Sequence, residues 1–348
     1  MTVTARSFFV LSAVALILAL TACRAAPTDD VQTTAGTPGT SAAPITQEET
    51  NDPQTDSQTL PPGTQEAEPM EITKVIRFNK GTVKNSVQGM SVWQGKLFQL
   101  YHTGDCNVFD LGSGNSDPIA TFRIGSASDG NHANNCNFST VHYNGNPIPL
   151  LYVVDGNSGN VMKCSVENIT EKNGVYSSEC IQTLTLDQSG FGAAGFMPYW
   201  GWPSWLVGSD GEYIWLHGAR YRTNRSMDHL YDENRYIITK FRLPPTDKKT
   251  VVLTAADVIE QFTTEYNVNF TQGGTVYGDY LFYTFGTGKT DNPSAIRAWD
   301  LRTGQLLAPI DVSAITEELE DCTVIGDKLY FITQKSNLYY IPLSSAVN

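Results

Sequence analysis

A pattern of two strands, a turn and a third strand recurs five times in this chain and limits the folds that it can adopt. The clearest copy spans residues 271–305. Two hydrophobic runs there flank a Gly278-Asp279 turn, a polar loop follows, and a third run ends at Thr303-Gly304. Short hydrophobic runs separated by glycine-containing turns are typical of antiparallel strands joined by hairpins. Each copy is therefore predicted to be a small antiparallel sheet.

The copies differ in length but keep the same order of elements. Their second strands begin near Leu97, Leu151, Ile214, Leu281 and Leu329, so the spacing varies from 48 to 67 residues. Constant order with variable loops is typical of a β-propeller, in which each blade is a four-stranded sheet. We predict an all-β fold with five blades, and a pair of β-sandwiches is the alternative.

The ring needs one more strand than the five copies supply. The first four copies have room for an outer strand, at residues 119–124, 180–186, 250–254 and 305–312, whereas the fifth reaches Asn348 without one. An unpaired sheet edge invites aggregation. Residues 72–78 have a strand pattern but belong to no copy. We expect this segment to pair with the last blade and close the propeller.

The N-terminus has the layout of an export signal. Arg6 precedes an apolar run at residues 8–20 that is too short for a stable membrane span. Leu20-Thr21-Ala22-Cys23 resembles the lipobox of bacterial lipoproteins. The resemblance implies a signal peptide at residues 1–22, lipid on Cys23, and an exported protein anchored to a membrane at the cell surface or periplasmic face. An ordinary cleaved signal, which would release the protein, is the alternative.

Residues 23–70 are predicted to be a lipidated cysteine and a disordered tether, and residues 71–348 the propeller. The tether has no Phe, Trp or Tyr and seven prolines, so it cannot bury enough apolar surface to offset the entropy of ordering. The chain carries a net charge of -13, spread over the acidic tether and the folded part. This balance argues against nucleic acid or anionic lipid as a partner of the propeller.

The five remaining cysteines are Cys106, Cys136, Cys164, Cys180 and Cys322. Export permits disulfides. Cys164 and Cys180 lie on consecutive predicted strands and are the candidate pair, whereas Cys136 and Cys322 fall on inner strands, where buried free thiols are natural. No zinc-ligand spacing is present, and no metal or other cofactor is expected.

The candidate site is one mouth of the central channel. Loops that lead into the inner strands share a face with loops between second and third strands, so residues just before each inner strand surround this mouth. Polar amides, a histidine, carboxylates and indoles converging there are suited to binding a small molecule or a sugar. The predicted ligand-binding residues are Gln88, His132, Asn134, Trp202, Gln272, Glu320 and Asp321.

The amides, the histidine and the indole among these residues also have a structural interpretation. The amides Gln88, Asn134 and Gln272 could simply satisfy backbone groups of the inner strands. His132 has no accompanying nucleophile motif, which favours a hydrogen-bonded structural histidine. Trp202 and the neighbouring indole of Trp205 either pack between blades or form a stacking platform for a sugar ring or an aromatic side chain.

Residues 270–273, 278–282 and 299–304 resemble the blade signature of plant-type glutaminyl cyclases, which are five-bladed propellers. Residues 87–104 carry a fainter echo, and the layout of the whole chain is similar to that of lipoprotein propellers from gut-type bacteria. In the cyclase family a glutamate two residues after the second-strand leucine is the acid/base. The matching residues here are Tyr283 and Gln99, neither of which transfers protons as a carboxylate does at neutral pH. The resemblance implies the fold and a channel position for Gln272, but not the catalysis.

Two functions fit the sequence. The favoured one is a surface-displayed lipoprotein whose propeller binds a glycan, peptide or protein partner at the mouth. The alternative is an enzyme, a cyclotransferase or a glycan-cleaving propeller, that uses Glu320, Asp321 or His132. The enzyme requires two carboxyl groups, or a carboxyl group and His132, facing each other about 5 to 9 Å apart.

Replacement of the lipobox cysteine tests the predicted membrane attachment. A Cys23→Ser chain should lose both incorporation of an alkyne-labelled fatty acid and recovery in the membrane fraction, because it has no thiol to acylate. A Cys180→Ser chain should keep both. Labelling that persists without Cys23 would contradict the lipobox interpretation.

Overall fold

The computed structural model describes residues 70–156, 163–199, 203–220, 234–265 and 270–347. All of them belong to the unit Glu66–Asn348. They form 22 strands and two short 3-10 helices, Ala255–Asp257 and Leu343–Ala346. The first eleven strands are β1 Thr73–Arg77, β2 Val87–Trp93, β3 Lys96–Tyr101, β4 Asp105–Asp110, β5 Ala120–Arg123, β6 Ala133–Phe138, β7 Leu151–Asp155, β8 Lys163–Lys172, β9 Val175–Leu186, β10 Ser204–Val207 and β11 Tyr213–Arg220. The remaining strands are β12 Arg235–Arg242, β13 Thr250–Leu253, β14 Val258–Glu265, β15 Thr271–Tyr277, β16 Tyr280–Phe285, β17 Ala295–Asp300, β18 Gln305–Leu306, β19 Ile310–Asp311, β20 Leu319–Ile325, β21 Lys328–Thr333 and β22 Asn337–Pro342.

These strands form five separate sheets, one for each predicted copy, so the domain is a five-bladed β-propeller as predicted. Blade 1 is β2-β3-β4-β5, and blade 2 contains β6-β7-β8-β9. Blade 3 is β10-β11-β12-β14, blade 4 is β15-β16-β17 with β18 and β19, and blade 5 is β20-β21-β22 with β1. The inner strands β2, β6, β10, β15 and β20 contact one another around the central axis. None of the helices in the described ranges is long and apolar enough to cross a membrane.

The N-terminal strand closes the ring, which confirms the prediction for residues 72–78. Strand β1 pairs antiparallel with β22, from Thr73 opposite Tyr340 to Arg77 opposite Asn337. Directly after β1, the buried Phe78 packs on Phe109 of blade 1 with ring centroids 4.2 Å apart. The closing segment therefore adds the outer strand of blade 5 and then anchors itself in the seam with blade 1.

The prediction that residues 250–254 form the outer strand of blade 3 is wrong. Strand β13 instead pairs parallel with β9 and extends blade 2, whereas β14 completes blade 3 by pairing with β12. Buried Gln182 of β9 holds the segment before β13 against blade 2, because its side-chain amide donates to the carbonyl oxygens of Pro245 and Lys248 at 2.8 and 2.9 Å. A Thr254 cap then starts the 3-10 turn that leads the chain into β14.

Apolar packing between blades forms the core. Each of the five seams between neighbouring blades contains its own cluster of buried hydrophobic side chains. The seam between blades 3 and 4 contains five buried aromatic side chains, Trp215, Tyr236, Tyr283, Phe285 and Trp299. Burial of these large side chains is the main favourable contribution to folding. Trp205 is buried in the seam between blades 2 and 3, as its packing interpretation required.

The predicted Cys164–Cys180 disulfide does not form, and all five cysteines of the described residues are free thiols. In the β8–β9 ladder Cys164 stands opposite Leu184, while Cys180 stands opposite Glu167. A displacement of three residues along a strand separates the two Cα atoms by about 10 Å. This distance is beyond the reach of a disulfide.

Truncation of Phe78 should destabilise the closed ring. Phe78→Ala removes a fully packed aromatic ring from the blade 5–blade 1 seam, so the free energy of unfolding should fall by about 3 to 5 kcal/mol in urea titrations. Val75→Ala, at an exposed position of β1, should change it by less than about 0.5 kcal/mol. Equal effects of the two substitutions would contradict the anchoring role of Phe78.

Candidate functional site

Four of the five inner strands contain a β-bulge where they begin, at the end of the channel that we call the mouth. The pairing register of β2, β6, β15 and β20 with the neighbouring second strand shifts at this point. A bulge adds an unpaired residue and re-aims its side chain, and bulges are enriched at barrel rims and next to active sites. The bulged residues are Gln88, Asn134, Asn135, Gln272, Gly273 and Glu320. Most of the predicted site residues therefore lie at these irregular positions.

Below the bulges, a buried carboxylate joins three inner strands. Asp321 accepts hydrogen bonds from the backbone N–H groups of Met90, Cys136 and Cys322, at 2.9, 3.4 and 2.9 Å. The side-chain amide of Asn135 donates a fourth at 3.0 Å. Burial raises the pKa of the Asp321 carboxyl well above its usual range, and these hydrogen bonds oppose that rise only in part.

Two asparagines of β6 complete the filling of the axis. Asn135 and Asn137 both donate to the carbonyl oxygen of Gly274 on β15, at 3.1 and 3.0 Å. We call Asp321, Asn135 and Asn137 the plug. Glycine is required beside it, because a Cβ atom on Gly273 would lie 2.6 Å from Oδ1 of Asp321. The plug occupies the axis, so a ligand at this end of the channel binds above it.

Glu320 is the acidic side chain at the mouth with the fewest stabilising contacts. Its side chain is 3% exposed, and among the described residues no hydrogen-bond donor reaches its carboxylate. Burial, together with the negative charges of Glu318 and Asp321, raises the pKa of Glu320 well above its usual range. Lys80 opposes this rise, but no ion pair within 4 Å joins these two described residues, and the Lys80 ammonium donates to the carbonyl oxygen of Asn85.

The amides at the mouth have protein partners. The side-chain nitrogen of Gln88 donates to the carbonyl oxygen of Val87 at 2.9 Å, in agreement with its structural interpretation. Gln272 donates to one oxygen of Glu318, and Gln334 donates to the other at 2.8 Å. The side chain of Asn134 lies 3.5 Å from the carbonyl oxygen of Gln272, so it links blade 2 to blade 4.

His132 lies beside a second histidine. It is half-buried just before β6, and its ring meets that of His102 edge-on, with centroids 4.3 Å apart. His102 lies in the loop between the second and third strands of blade 1, a type of loop that the propeller pattern also places at the mouth, but it was not among the predicted residues. Glu318 and Lys80 were also missed. They stand in loops before inner strands, a position that could have indicated them. Trp202 and Cys23 lie outside the described residues.

The two positions that match the acid/base of glutaminyl cyclases are filled by structural side chains. The Tyr283 hydroxyl donates to the carbonyl oxygen of Gln272 at 2.6 Å and also contacts Oγ of Ser204, and burial raises its pKa. Gln99 is buried and donates to the hydroxyl groups of Tyr101 and Ser336. Neither carries an acidic group toward the mouth. The described part of the chain also has no group of three His, Cys, Asp or Glu residues that could hold a metal ion.

The fold and the mouth define the class of the domain, a five-bladed β-propeller with bulged inner strands and a plugged axis. A scan against models of known protein families found no match for this chain, and a search of curated proteins found no similar sequence. Any functional proposal therefore depends on the geometry of the mouth and on the sequence signals.

The raised pKa of Glu320 predicts a specific loss of stability with pH. The ordinary pKa of a glutamate carboxyl, which applies in the unfolded chain, is 4.5, whereas the pKa of Glu320 in the folded protein lies well above that value. As pH rises through this window, the unfolded state ionises first, so the wild-type protein loses stability. Between pH 4 and pH 8 the free energy of unfolding should therefore fall less in Glu320→Gln than in the wild type. The difference between the two decreases should exceed about 1 kcal/mol.

Urea titrations at pH 4, 6 and 8 measure this difference. Asp321, whose pKa is also raised by burial, is present in both proteins, so the difference between them reports the Glu320 carboxyl together with its repulsion of Asp321. Glu212→Gln, at an exposed turn position, should follow the wild-type curve. Parallel pH profiles for the wild type and Glu320→Gln would show that Glu320 is not desolvated in the folded protein.

Proposed function

We propose that this chain is a surface-displayed, lipid-anchored protein whose propeller binds a glycan, a peptide or a protein partner at the mouth. The anchor is Cys23, and the acidic tether at residues 24–70 holds the propeller away from the membrane. The proposal combines a sequence signal for export with the side chains gathered above the plug.

The observation that carries the proposal is the state of Glu320. Buried charges in folded proteins are normally paired, and a buried carboxylate without a donor is costly. A bulge sets Glu320 at the rim of the channel rather than within the regular ladder of β20. A ligand that donates a hydrogen bond or carries positive charge would stabilise this carboxylate, so an energetic cost of folding becomes a contribution to binding.

The surrounding groups favour selective recognition. Gln272, Glu318 and Gln334 form a hydrogen-bonded chain that fixes the side chains on one side of Glu320. Fixed side chains lose little conformational entropy when a ligand binds. Trp202, which precedes β10, is the predicted stacking partner for a sugar ring or an aromatic side chain.

Binding has more support than catalysis. Glycoside cleavage and related chemistry need two groups that exchange protons across the substrate. The oxygens of Asp321 accept four hydrogen bonds within the plug, so Asp321 is poorly suited to be the partner of Glu320. Tyr283 and Gln99 occupy the positions that would supply the acid/base in the family that the sequence resembles. We therefore favour a binding protein.

Glycan and peptide arrays probed with the purified full-length chain test this function. At least one ligand should bind the wild type. Its affinity should fall at least about tenfold in Glu320→Gln, the effect expected when a hydrogen bond to a charged group is lost. Trp202→Ala should also weaken binding, and Glu212→Gln should not. A ligand that binds equally to both mouth variants would assign recognition to another surface.

A further inference from the structure

A second concave site lies at the opposite end of the propeller from the mouth, in the seam between blades 3 and 4. It opens between the turn joining β10 to β11 and the turn joining β15 to β16. The Gly278 N–H group donates to Oγ of Ser209 at 2.9 Å and ties these two turns together. The cavity measures about 220 Å³ and includes Tyr213, Trp215, Lys240, Glu260 and Asp279 in its lining. We call it the seam cleft.

The floor of the seam cleft is rigid, and the surface that it exposes is mainly polar. Trp215, Val276 and Leu301 support it from below and are almost completely buried. The Trp215 ring is stacked against Phe262 of the outer strand, with ring centroids 6.4 Å apart and planes inclined by 15°. A ligand would meet a surface that is already ordered, so little entropy is lost on binding.

The blade 3 wall offers a cation with unused donors. The Lys240 ammonium lies 4.0 Å from the centroid of the Tyr213 ring and 4.9 Å from that of Trp215. These ring contacts hold the ammonium in place but satisfy none of its three N–H donors. Glu260 is its cross-strand neighbour, yet within the described ranges no carboxylate lies within 4 Å of the ammonium. Lys240 and Glu260 therefore present one set of donors and one set of acceptors side by side.

The blade 4 wall offers mainly acceptors. Both carboxylate oxygens of Asp300 hold Arg302, at 3.0 and 2.6 Å, so the guanidinium is largely committed within its own turn. Asp279 lies 3.6 Å from Arg302 and is exposed at the rim. On the other side of the opening, one oxygen of Asp210 accepts the Glu212 N–H group, which leaves the second oxygen available.

This combination suits a neutral polyhydroxylated ring. Each sugar hydroxyl both donates and accepts a hydrogen bond, so a ring of hydroxyl groups can use the donors of Lys240 together with the acceptors of the rim. A carboxylate ligand would be repelled by the three carboxylates of Asp210, Glu260 and Asp279, and Lys240 already occupies the aromatic faces on which an ammonium ligand would rest. Pockets for drug-sized ligands measure about 300 to 1,000 Å³, so the seam cleft suits something smaller. We propose that the seam cleft binds a single neutral hexose unit of a glycan.

Saturation-transfer NMR with the full-length chain tests this site. Glucose, galactose and mannose are the probes, and glutamate and lysine are charged comparators. At least one hexose should receive saturation at its ring C–H protons, and neither amino acid should. Lys240→Met and Glu260→Gln should each raise the dissociation constant of that hexose at least about tenfold. Glu260 is exposed, so its replacement leaves the fold intact and the test valid even if Lys240→Met unfolds.

Matched variants separate this site from the mouth. Lys248→Met, at an exposed lysine on the loop before β13, and Glu320→Gln, at the mouth, should leave hexose binding unchanged. Saturation of no hexose, stronger saturation of an amino acid, or a hexose signal that survives in both seam-cleft variants would overturn the proposal. Loss of the signal in Glu320→Gln alone would show that the sugar binds at the mouth, and this result would also overturn the proposal. If no ligand is found for the mouth, the proposal for the seam cleft is unaffected, because the two sites share no residue.

Discussion

The buried carboxylate of Asp321 addresses the central physical problem of this fold. In a propeller the inner strand of every blade turns an unpaired edge toward the axis, and its backbone N–H groups need acceptors. Asp321 supplies acceptors to three such groups at once and receives Asn135 as a fourth donor. These hydrogen bonds offset part of the cost of burying a carboxylate, and the rest appears as the raised pKa of Asp321. Glycine at position 273 gives this arrangement the room it needs.

The form of the mouth follows from the plug. The inner strands converge on Asp321, Asn135 and Asn137, and four of them bulge just above this level. The bulges leave the regular ladders and release Gln88, Asn134, Gln272 and Glu320 from strict alternation. Three of these side chains are amides, and each donates a hydrogen bond to a protein acceptor, whereas Glu320 is an acid without a donor. The same construction therefore stabilises the centre of the ring and leaves one buried carboxyl group without a hydrogen-bond donor at its rim.

The two ends of the propeller have different chemistry. At the mouth, acids of blade 5 gather around a buried carboxylate, with Lys80 as an incomplete counterion. At the seam cleft, Lys240 rests on the rings of Tyr213 and Trp215, and charged side chains of both signs line the cavity. A propeller can carry both sites because its blades are held together by apolar seams, which leaves the turns at either end free to specialise.

The sequence by itself determined the parts of this protein that depend on local pattern. Alternating hydrophobic runs and glycine turns fixed five blades, and the leftover strand at residues 72–78 had only one open sheet edge to join. The position before each inner strand located Gln88, Asn134, Gln272 and Glu320 at the mouth. Tertiary structure alone decided that β13 crosses to blade 2, that Cys164 and Cys180 are out of register, and that His102 meets His132. It also gave Asp321 its partner Asn135, 186 residues away. Local patterns record which face of a strand is buried, but contacts between distant residues arise only when the blades pack.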